Sequence, residues 1–337
     1  MHAVTVIVGQ AGQGRFHGRR RSAGETLFYN FRKPRCPSVF RFLLLPLLLL
    51  AGSAHADVRL LTSIKPLQLI AAAVQDGVGA PDVLLPPGAS PHNYALRPSD
   101  VRKLREVELF YWIGPDLETF IPRVLQGRSG PTVTVQTLPG LHLRHFGEGE
   151  AHGDDGEHDH EHRPGTLDAH LWLLPDNARV IAARMAADLS AADPDNASRY
   201  QANLQAFERR LGALDQRLRQ RVAGVAGKPY FVFHEGFDYF EAAYGLRHSG
   251  VFSAATEVQP GARHVAEMRE KLQQAGPACV FSEPPWRPKL TETLAEGLPV
   301  KMAELDALGA TLNADANGYE RLLDDLANNL AGCLEGL

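Results

Sequence analysis

The chain has 337 residues, 44% of them hydrophobic and 22% charged, with 35 Lys and Arg against 39 Asp and Glu. This length allows one large domain or two lobes of ordinary size, and the apolar fraction is sufficient for a folded core. The formal net charge is −4, and it becomes −11 without residues 1–56, which argues against nucleic acids and anionic membrane surfaces as partners.

The N-terminal residues, 1–56, are predicted to be a signal peptide with an N-terminal extension. Residues 42–50 are almost entirely leucine, four basic residues precede them between Arg32 and Arg41, and Ala54-His55-Ala56 follows. A basic flank, a short apolar core and an A-x-A exit are typical of a secretory signal, with cleavage after Ala56. The apolar core is too short to span a bilayer, which requires about 20 residues.

Cleavage after Ala56 leaves 281 residues with 27 basic and 38 acidic side chains, a net charge of −11. Such a charge suits a soluble protein that handles cations. Two cysteines remain, Cys279 and Cys333, and an even number in an exported protein suggests a disulfide. Two buried free thiols are the alternative, because nothing in the local sequence forces the two residues together.

Strand and helix patterns alternate through the first half of the mature chain. Short apolar runs predict strands, and segments with helical periodicity lie between them. The predicted strands are 58–64, 82–85, 109–113 and 132–136, and the predicted helices are 66–74 and 99–107. This alternation predicts a mainly parallel sheet flanked by helices.

Residues 147–165 interrupt this pattern. The segment has no large apolar residue and consists mostly of His, Asp, Glu and Gly, so we expect a mobile loop. Its histidines are His152, His158, His160 and His162. A tract of this composition is typical of secondary metal binding, although a solvated linker would tolerate the same residues.

A long helix is predicted to separate the two halves. After a helix over 176–189, seven apolar residues recur at steps of three and four between Tyr200 and Val222. The helix would run about 28 residues, roughly 42 Å. It is either an amphipathic surface helix or a strut between two lobes, and its position between two strand–helix sections favours the strut. We therefore predict lobes at 57–193 and 224–337, linked by 194–223.

The second half repeats the first, with strands predicted at 229–233, 278–282 and 300–305 and helices at 265–275 and 318–330. The expected fold class is α/β, with two lobes that each contain a mainly parallel sheet flanked by helices.

Candidate metal ligands follow the predicted strands. His92 comes seven residues after a strand, His234 and Glu283 come directly after strands, and Asp306 follows the last one; His170 lies in LDAHLWL. Ligands of open α/β sheets bind at the carboxyl ends of strands, and imidazole is the commonest zinc ligand. Two facing sheets would bring these groups together. A lone histidine is also often merely solvated, Asp306 could cap the next turn, and Glu283 could be a surface acid.

Several sequence blocks resemble one family over the whole mature chain, 57–337. They are GASPHNYALRPSD, LFYWIGPDLE, DAHLWLLPDNA, VFHEGFDYFEAAYGL, FSEPPWRP and AELDALG. They are similar to the cluster A-I metal-binding proteins of ABC importers, most closely the periplasmic zinc-uptake proteins of the ZnuA type. The resemblance implies two α/β lobes bridged by a rigid helix, with metal in the cleft. It also implies a periplasmic location and an inner-membrane permease with its ATPase as partners.

The resemblance assigns roles residue by residue. His92, His170 and His234 match the zinc-binding histidines of the family, and Asp306 matches the position that supplies a carboxylate in manganese members. The position of His234 is typically an acid in that manganese branch, so imidazole here favours Zn²⁺. Some zinc members carry Glu where this chain has Pro91, so either water or Asp306 completes the shell.

Two further features follow from the resemblance. It implies a Cys279–Cys333 disulfide in the second lobe. An acidic, histidine-rich loop is typical of the subfamily, where it would capture zinc weakly or sense its abundance.

The function expected from these features is capture of Zn²⁺ by a monomeric, non-enzymatic solute-binding protein. A manganese importer component is the first alternative. A zinc hydrolase is another, since three histidines and a water also form a catalytic shell. The chain has no HExxH motif, and Glu235 is its best candidate base. A zinc-buffering or adhesin-like surface protein is the third alternative.

Overall fold

A computed structural model describes residues 58–147, 165–253, 261–285 and 289–337. The predicted signal peptide and extension, 1–56, lie outside the described residues. So do 148–164, which include the loop histidines His152, His158, His160 and His162.

The first sheet contains four parallel strands in the order β2-β1-β3-β4. The strands are β1 (Leu60–Thr62), β2 (Asp82–Val83), β3 (Leu109–Trp112) and β4 (Thr132–Thr134). The helices between and after them are α1 (Lys65–Val74), α2 (Pro98–Glu106) and α3 (Pro122–Leu125). A proline occupies the first turn of each helix, where backbone N–H groups make no hydrogen bond within the helix and the missing N–H therefore costs nothing.

The second sheet has the same strand order, β6-β5-β7-β8, and is also parallel. Its strands are β5 (Tyr230–His234), β6 (Gly250–Ser253), β7 (Ala278–Ser282) and β8 (Val300–Glu304). Its helices are α6 (Asp238–Tyr244), α7 (Ala262–Ala275), α8 (Lys289–Ala295) and α9 (Gly318–Glu335). The predicted α/β class with two parallel sheets is confirmed. In each sheet the strand order reverses direction between the first and third strands, which creates a crevice for ligands.

Two helices join the sheets in sequence, α4 (Pro175–Ala192) and α5 (Ala197–Val222). The 26 residues of α5 span about 39 Å, and its apolar stripe is buried against α1, α4 and α9. The helix is shorter than expected because residues 194–196 form a separate 3₁₀ turn. Within the part of the chain that the structure describes, none of the helices combines the length and apolar character needed to cross a bilayer.

One continuous core runs from the first sheet to the second. It includes Leu61 on β1, Phe207 on α5 and Tyr230 on β5. Side chains alternate along β5, so Tyr230 and Val232 face this core while Phe231 faces a smaller cluster beneath α7. The same two-residue period places His234 on the side of the main core.

The Cys279–Cys333 disulfide is present in the structure and ties β7 to α9. Cys279 is fully buried in the main core. The pairing that the resemblance implied therefore joins a central strand to the last helix of the chain.

Three elements of the second half were missing from the sequence prediction, β6, α6 and α8. The seven residues of α6 include Tyr239 and Phe240, which are buried on adjacent positions, so the segment has no clear polar face. A left-handed Gly245, with φ of +67°, ends the helix and turns the chain toward β6. Helix α6 carries Asp238 and Glu241, and His248 lies in the segment between α6 and β6.

A buried acid fills the crevice of the first sheet. The carboxylate of Glu118 accepts hydrogen bonds from the Ser63 hydroxyl, from the Ile113 N–H at 3.3 Å and from the Gly114 N–H at 2.9 Å. Burial raises the pKa of Glu118 to about 7, although these hydrogen bonds favour the ionised form and lower it. The first sheet therefore closes its own crevice with a side chain rather than leaving it for a ligand.

The pKa of Glu118 predicts a loss of stability as the pH rises. In the unfolded chain this acid ionises near its ordinary pKa of 4.5, so the folded protein binds more protons between pH 4.5 and about 7. The loss through this group amounts to about 3 kcal/mol, at about 1.4 kcal/mol per pH unit. Urea unfolding of the metal-free protein at pH 5 and pH 7.5 measures it. Glu118→Gln should reduce the difference by this amount, and the remainder belongs to other buried acids; Glu106→Gln, at an exposed position on α2, should leave the difference unchanged.

Candidate metal site

Three histidines converge from three different elements. His92 lies in the loop between β2 and α2, His170 directly precedes a 3₁₀ turn, and His234 is the last residue of β5. One nitrogen from each lies within 4.8 Å of the others, and the ring centroids are 4.9 to 5.3 Å apart. All three side chains are buried. Three imidazole nitrogens this close together form the usual protein part of a four-coordinate zinc site.

A buried carboxylate orients His170. Asp168 Oδ1 lies 2.8 Å from Nδ1 of His170 and accepts the backbone N–H of the same residue at 2.9 Å. Engagement of Nδ1 leaves Nε2 to face an ion, an arrangement common among metal-binding histidines. Burial lowers the pKa of His170 well below 6.5, and the neighbouring His234 and His92 lower it further. The imidazole is therefore neutral at physiological pH, which is the form that binds metal.

The same burial acts on Asp168 in the opposite direction, raising the pKa of its carboxyl to about 7, while the His170 N–H and nearby positive charges counteract the increase. A cation beside His170 would favour the ionised carboxylate.

His234 is oriented by Glu283 across the crevice of the second sheet. Nδ1 of His234 lies 2.9 Å from Oε1 of Glu283. His234 ends β5 and Glu283 follows β7, and these neighbouring strands flank the point where the strand order reverses. Gly236 completes the arrangement, since a Cβ there would lie 2.8 Å from Cε1 of His234 and 3.1 Å from Nε2 of His170. Glycine at this position lets the backbone approach both rings.

Asp306 does not belong to the histidine group found among the described residues. Its Oδ1 accepts the N–H groups of Leu308 and Gly309 at 3.0 and 2.8 Å, and its Oδ2 accepts that of Ala310 at 2.8 Å. Burial raises the pKa of Asp306, and these three hydrogen bonds lower it in part. The structure thus shows Asp306 in the turn-capping arrangement that was one alternative from the sequence.

The histidines open into a small cavity. Its volume is about 40 Å³, and Ser90, Trp172, Glu283 and Leu308 contribute to its lining beside the three rings. A single water needs roughly 10–15 Å³, so the cavity has room for a cation with one or two waters. The loop that Asp306 caps forms one wall, held by a hydrogen bond from Trp172 Nε1 to the Ala307 carbonyl at 2.9 Å.

Sequence reasoning missed the roles of two carboxylates. Asp168 stands two residues before His170, a spacing at which an Asp side chain commonly accepts a nearby backbone N–H. Glu283 was recognised at a strand end, but its contact with His234 depends on β5 and β7 being neighbours. The contact of Asp168 with His170 could therefore be inferred from the sequence, whereas that of Glu283 with His234 required the strand order.

Comparison with known proteins agrees with this geometry. The profile of the family described as "ZnuA: Zinc-uptake complex component A periplasmic" matches residues 60–333. The chain belongs to this family. The resemblance drawn from the sequence blocks is therefore confirmed, and the three histidines all lie within the matched range.

Individual members of the zinc-uptake component A family are similar over most of their length. The high-affinity zinc uptake system protein ZnuA of Yersinia pestis is 38% identical over 302 residues, covering 86% of this chain and 95% of the relative. The protein of the same name from Brucella abortus (strain 2308) is 34% identical over 315 residues, covering 84% and 94%. A crystal structure of ZnuA shares the fold, with a TM-score of 0.68, 23% identity and coverage of 83% and 100%.

Proposed function

We propose that this protein captures Zn²⁺ between its two lobes and delivers it to an inner-membrane ABC permease. The observation that carries the proposal is the convergence of His92, His170 and His234 in one buried cavity. The names of the similar proteins from Yersinia pestis and Brucella abortus support zinc as the cargo. The ion is bound and released unchanged.

The donor set favours zinc over manganese. Three neutral nitrogens suit Zn²⁺, whereas Mn²⁺ prefers carboxylate and water oxygens. We infer that water takes the fourth position, because the Asp306 carboxylate already accepts three backbone hydrogen bonds. Acid should weaken binding once the imidazoles become protonated.

The cellular setting remains part of the proposal. We infer export to the periplasm with cleavage after Ala56, action as a monomer, and partnership with the permease and its ATPase. We also propose that the mature chain divides into lobes at 57–193 and 224–337, joined by a linking segment at 194–223. The histidine-rich loop, 147–165, would hold additional zinc through His152, His158, His160 and His162.

A zinc hydrolase is disfavoured by the position of its best candidate base. Glu235 lines a different cavity from the one that the three histidines line. Partial burial raises the pKa of the Glu235 carboxyl to about 7, but the cavity at the histidines has little room for an organic substrate. We therefore infer a binding protein rather than an enzyme.

Competition titration tests the proposed function directly. The purified protein should bind Zn²⁺ far more tightly than Mn²⁺ at pH 7.5, and a zinc-starved deletion strain should regain growth when the gene is restored. Tighter binding of Mn²⁺ would contradict the choice of metal. Zinc-dependent ester or peptide hydrolysis that is lost in Glu235→Gln would favour the hydrolase.

A further inference from the structure

The hydroxyl of Tyr239 is inserted into a short antiparallel pairing of the backbone. Arg144 and Asp168 lie opposite each other beside the isolated bridge between His145 and Leu167, and the Asp168 N–H donates to the Arg144 carbonyl at 2.9 Å. The return connection runs through Tyr239. The Arg144 N–H donates to the hydroxyl oxygen at 2.9 Å, and the hydroxyl donates to the Asp168 carbonyl at 2.9 Å. The side chain therefore takes the place of one backbone hydrogen bond of the pairing.

This hydroxyl connects two segments that each carry a zinc-binding candidate. Tyr239 lies in the first turn of α6, five residues after His234, and its side chain is fully buried. Asp168 lies two residues before His170 and accepts hydrogen bonds from that residue through Oδ1. The bond from Tyr239 to Asp168 spans 71 residues of sequence, so it joins the two candidates through space rather than along the chain.

The segment that receives this bond is fixed from its other side. Oδ1 of Asn177, on α4, accepts the His142 N–H at 2.8 Å, and Nδ2 donates to the carbonyls of His142 and Leu171, both at 3.0 Å. Helix α6 in turn packs against the 3₁₀ turn Leu171–Leu173 that follows His170. Because both partners of the Tyr239 bond are held in this way, the bond sets the spacing between them.

We propose that Tyr239 is a positioning residue for the metal site, and that its hydroxyl holds the His170 segment at the distance from His234 that one shared Zn²⁺ requires. The rings of these two histidines have centroids 4.9 Å apart, the shortest separation among the three. Tyr239 does not line the cavity at the histidines, so it acts through Asp168 and not on the ion. Ligands placed before the ion arrives need less ordering when it binds, which increases affinity. This inference rests on the proposed function, since it requires that both histidines bind the same ion.

Tyr239→Phe tests the role, because it removes the hydroxyl and keeps the ring. Competition with a chromophoric chelator at pH 7.5 should show a loss of Zn²⁺ affinity of about tenfold, as for other groups that orient metal ligands. Tyr111→Phe is the matched control. It also removes a fully buried hydroxyl, one that donates to Asp188 at 2.6 Å between β3 and α4. This control should lower stability without changing zinc affinity.

Hydrogen exchange provides a second measurement that leaves Tyr239 unaltered. If the Tyr239 link favours zinc binding, zinc must favour the link by the same factor, so the Arg144 N–H should exchange about tenfold more slowly at saturating Zn²⁺. The Arg128 N–H, which donates to the Leu125 carbonyl at 3.0 Å after α3, should keep its rate. The chain used has all four loop histidines changed to Asn, so that zinc bound there does not contribute: His152, His158, His160 and His162.

Two results would overturn the positioning role. One is a Zn²⁺ affinity in Tyr239→Phe within about twofold of the original, and the other is an Arg144 exchange rate that zinc does not change. If Tyr239→Phe does not fold, the exchange rate decides. His170→Ala distinguishes a failure of this inference from a failure of the proposed function. Unchanged affinity in both His170→Ala and Tyr239→Phe would contradict the metal site itself, whereas unchanged affinity in Tyr239→Phe alone would contradict only the role of its hydroxyl.

Discussion

Replacing His170 with alanine is expected to lower the affinity for Zn²⁺ by about 100- to 1000-fold. Structural zinc sites bind with about 10–16 kcal/mol, so one ligand in four accounts for roughly 3–4 kcal/mol. The side chain is buried and its Nδ1 is held by Asp168, so no other group can easily swing into its place. Competition with a chromophoric zinc chelator at pH 7.5 measures the change.

Graded substitutions around the same ion separate ligands from the groups that orient them. Glu283→Gln should cost only about tenfold, because the amide oxygen can still accept a hydrogen bond from Nδ1 of His234. Asp306→Asn should change affinity less than loss of any histidine if water fills the fourth position. Affinity within tenfold of the original in His170→Ala would contradict the ligand set, and a loss in Asp306→Asn as large as that in His170→Ala would make Asp306 a ligand.

Removing the Cys279–Cys333 disulfide is expected to lower the free energy of unfolding by about 4 kcal/mol. The bond closes a loop with a sequence separation of 54 residues, and the chain-entropy estimate for a loop of that length gives this magnitude. In the unfolded chain the bond restricts the conformational entropy of the segment between Cys279 and Cys333, and that entropy is regained when the bond is absent. Cys333→Ser with Cys279→Ser should show the effect in urea unfolding of the metal-free protein.

Zinc binding provides the control for the disulfide experiment. Neither cysteine lines the cavity at the histidines, so the double variant should keep its zinc affinity while it loses stability. Reduction of the unaltered protein with dithiothreitol should reproduce the lower midpoint. Equal midpoints for the oxidised, reduced and doubly substituted proteins would show that the bond adds no stability.

Local patterns in the sequence predicted most of the secondary structure and the candidate ligands, although they missed β6 and the short helices α3, α6 and α8. Apolar runs of four to seven residues predicted seven of the eight strands in the described residues. Apolar residues spaced three and four positions apart predicted α5 to within a few residues. Histidines placed after strands predicted that His92 and His234 would lie at the carboxyl ends of the sheets. Each of these inferences depends only on residues a few positions apart, because hydrophobic periodicity and the ends of apolar runs can be read directly from the sequence.

Tertiary structure alone decided which groups meet. Glu283 reaches His234 because β5 and β7 pair side by side, although 49 residues separate the two side chains. Asp306 turned inward to its own loop, and Asp238, Glu241 and His248 gathered around a short helix that has no clear polar face. Such contacts depend on strand order and on which carboxylate oxygens the backbone already occupies. Neither is encoded in local periodicity, because both arise only when distant segments pack together.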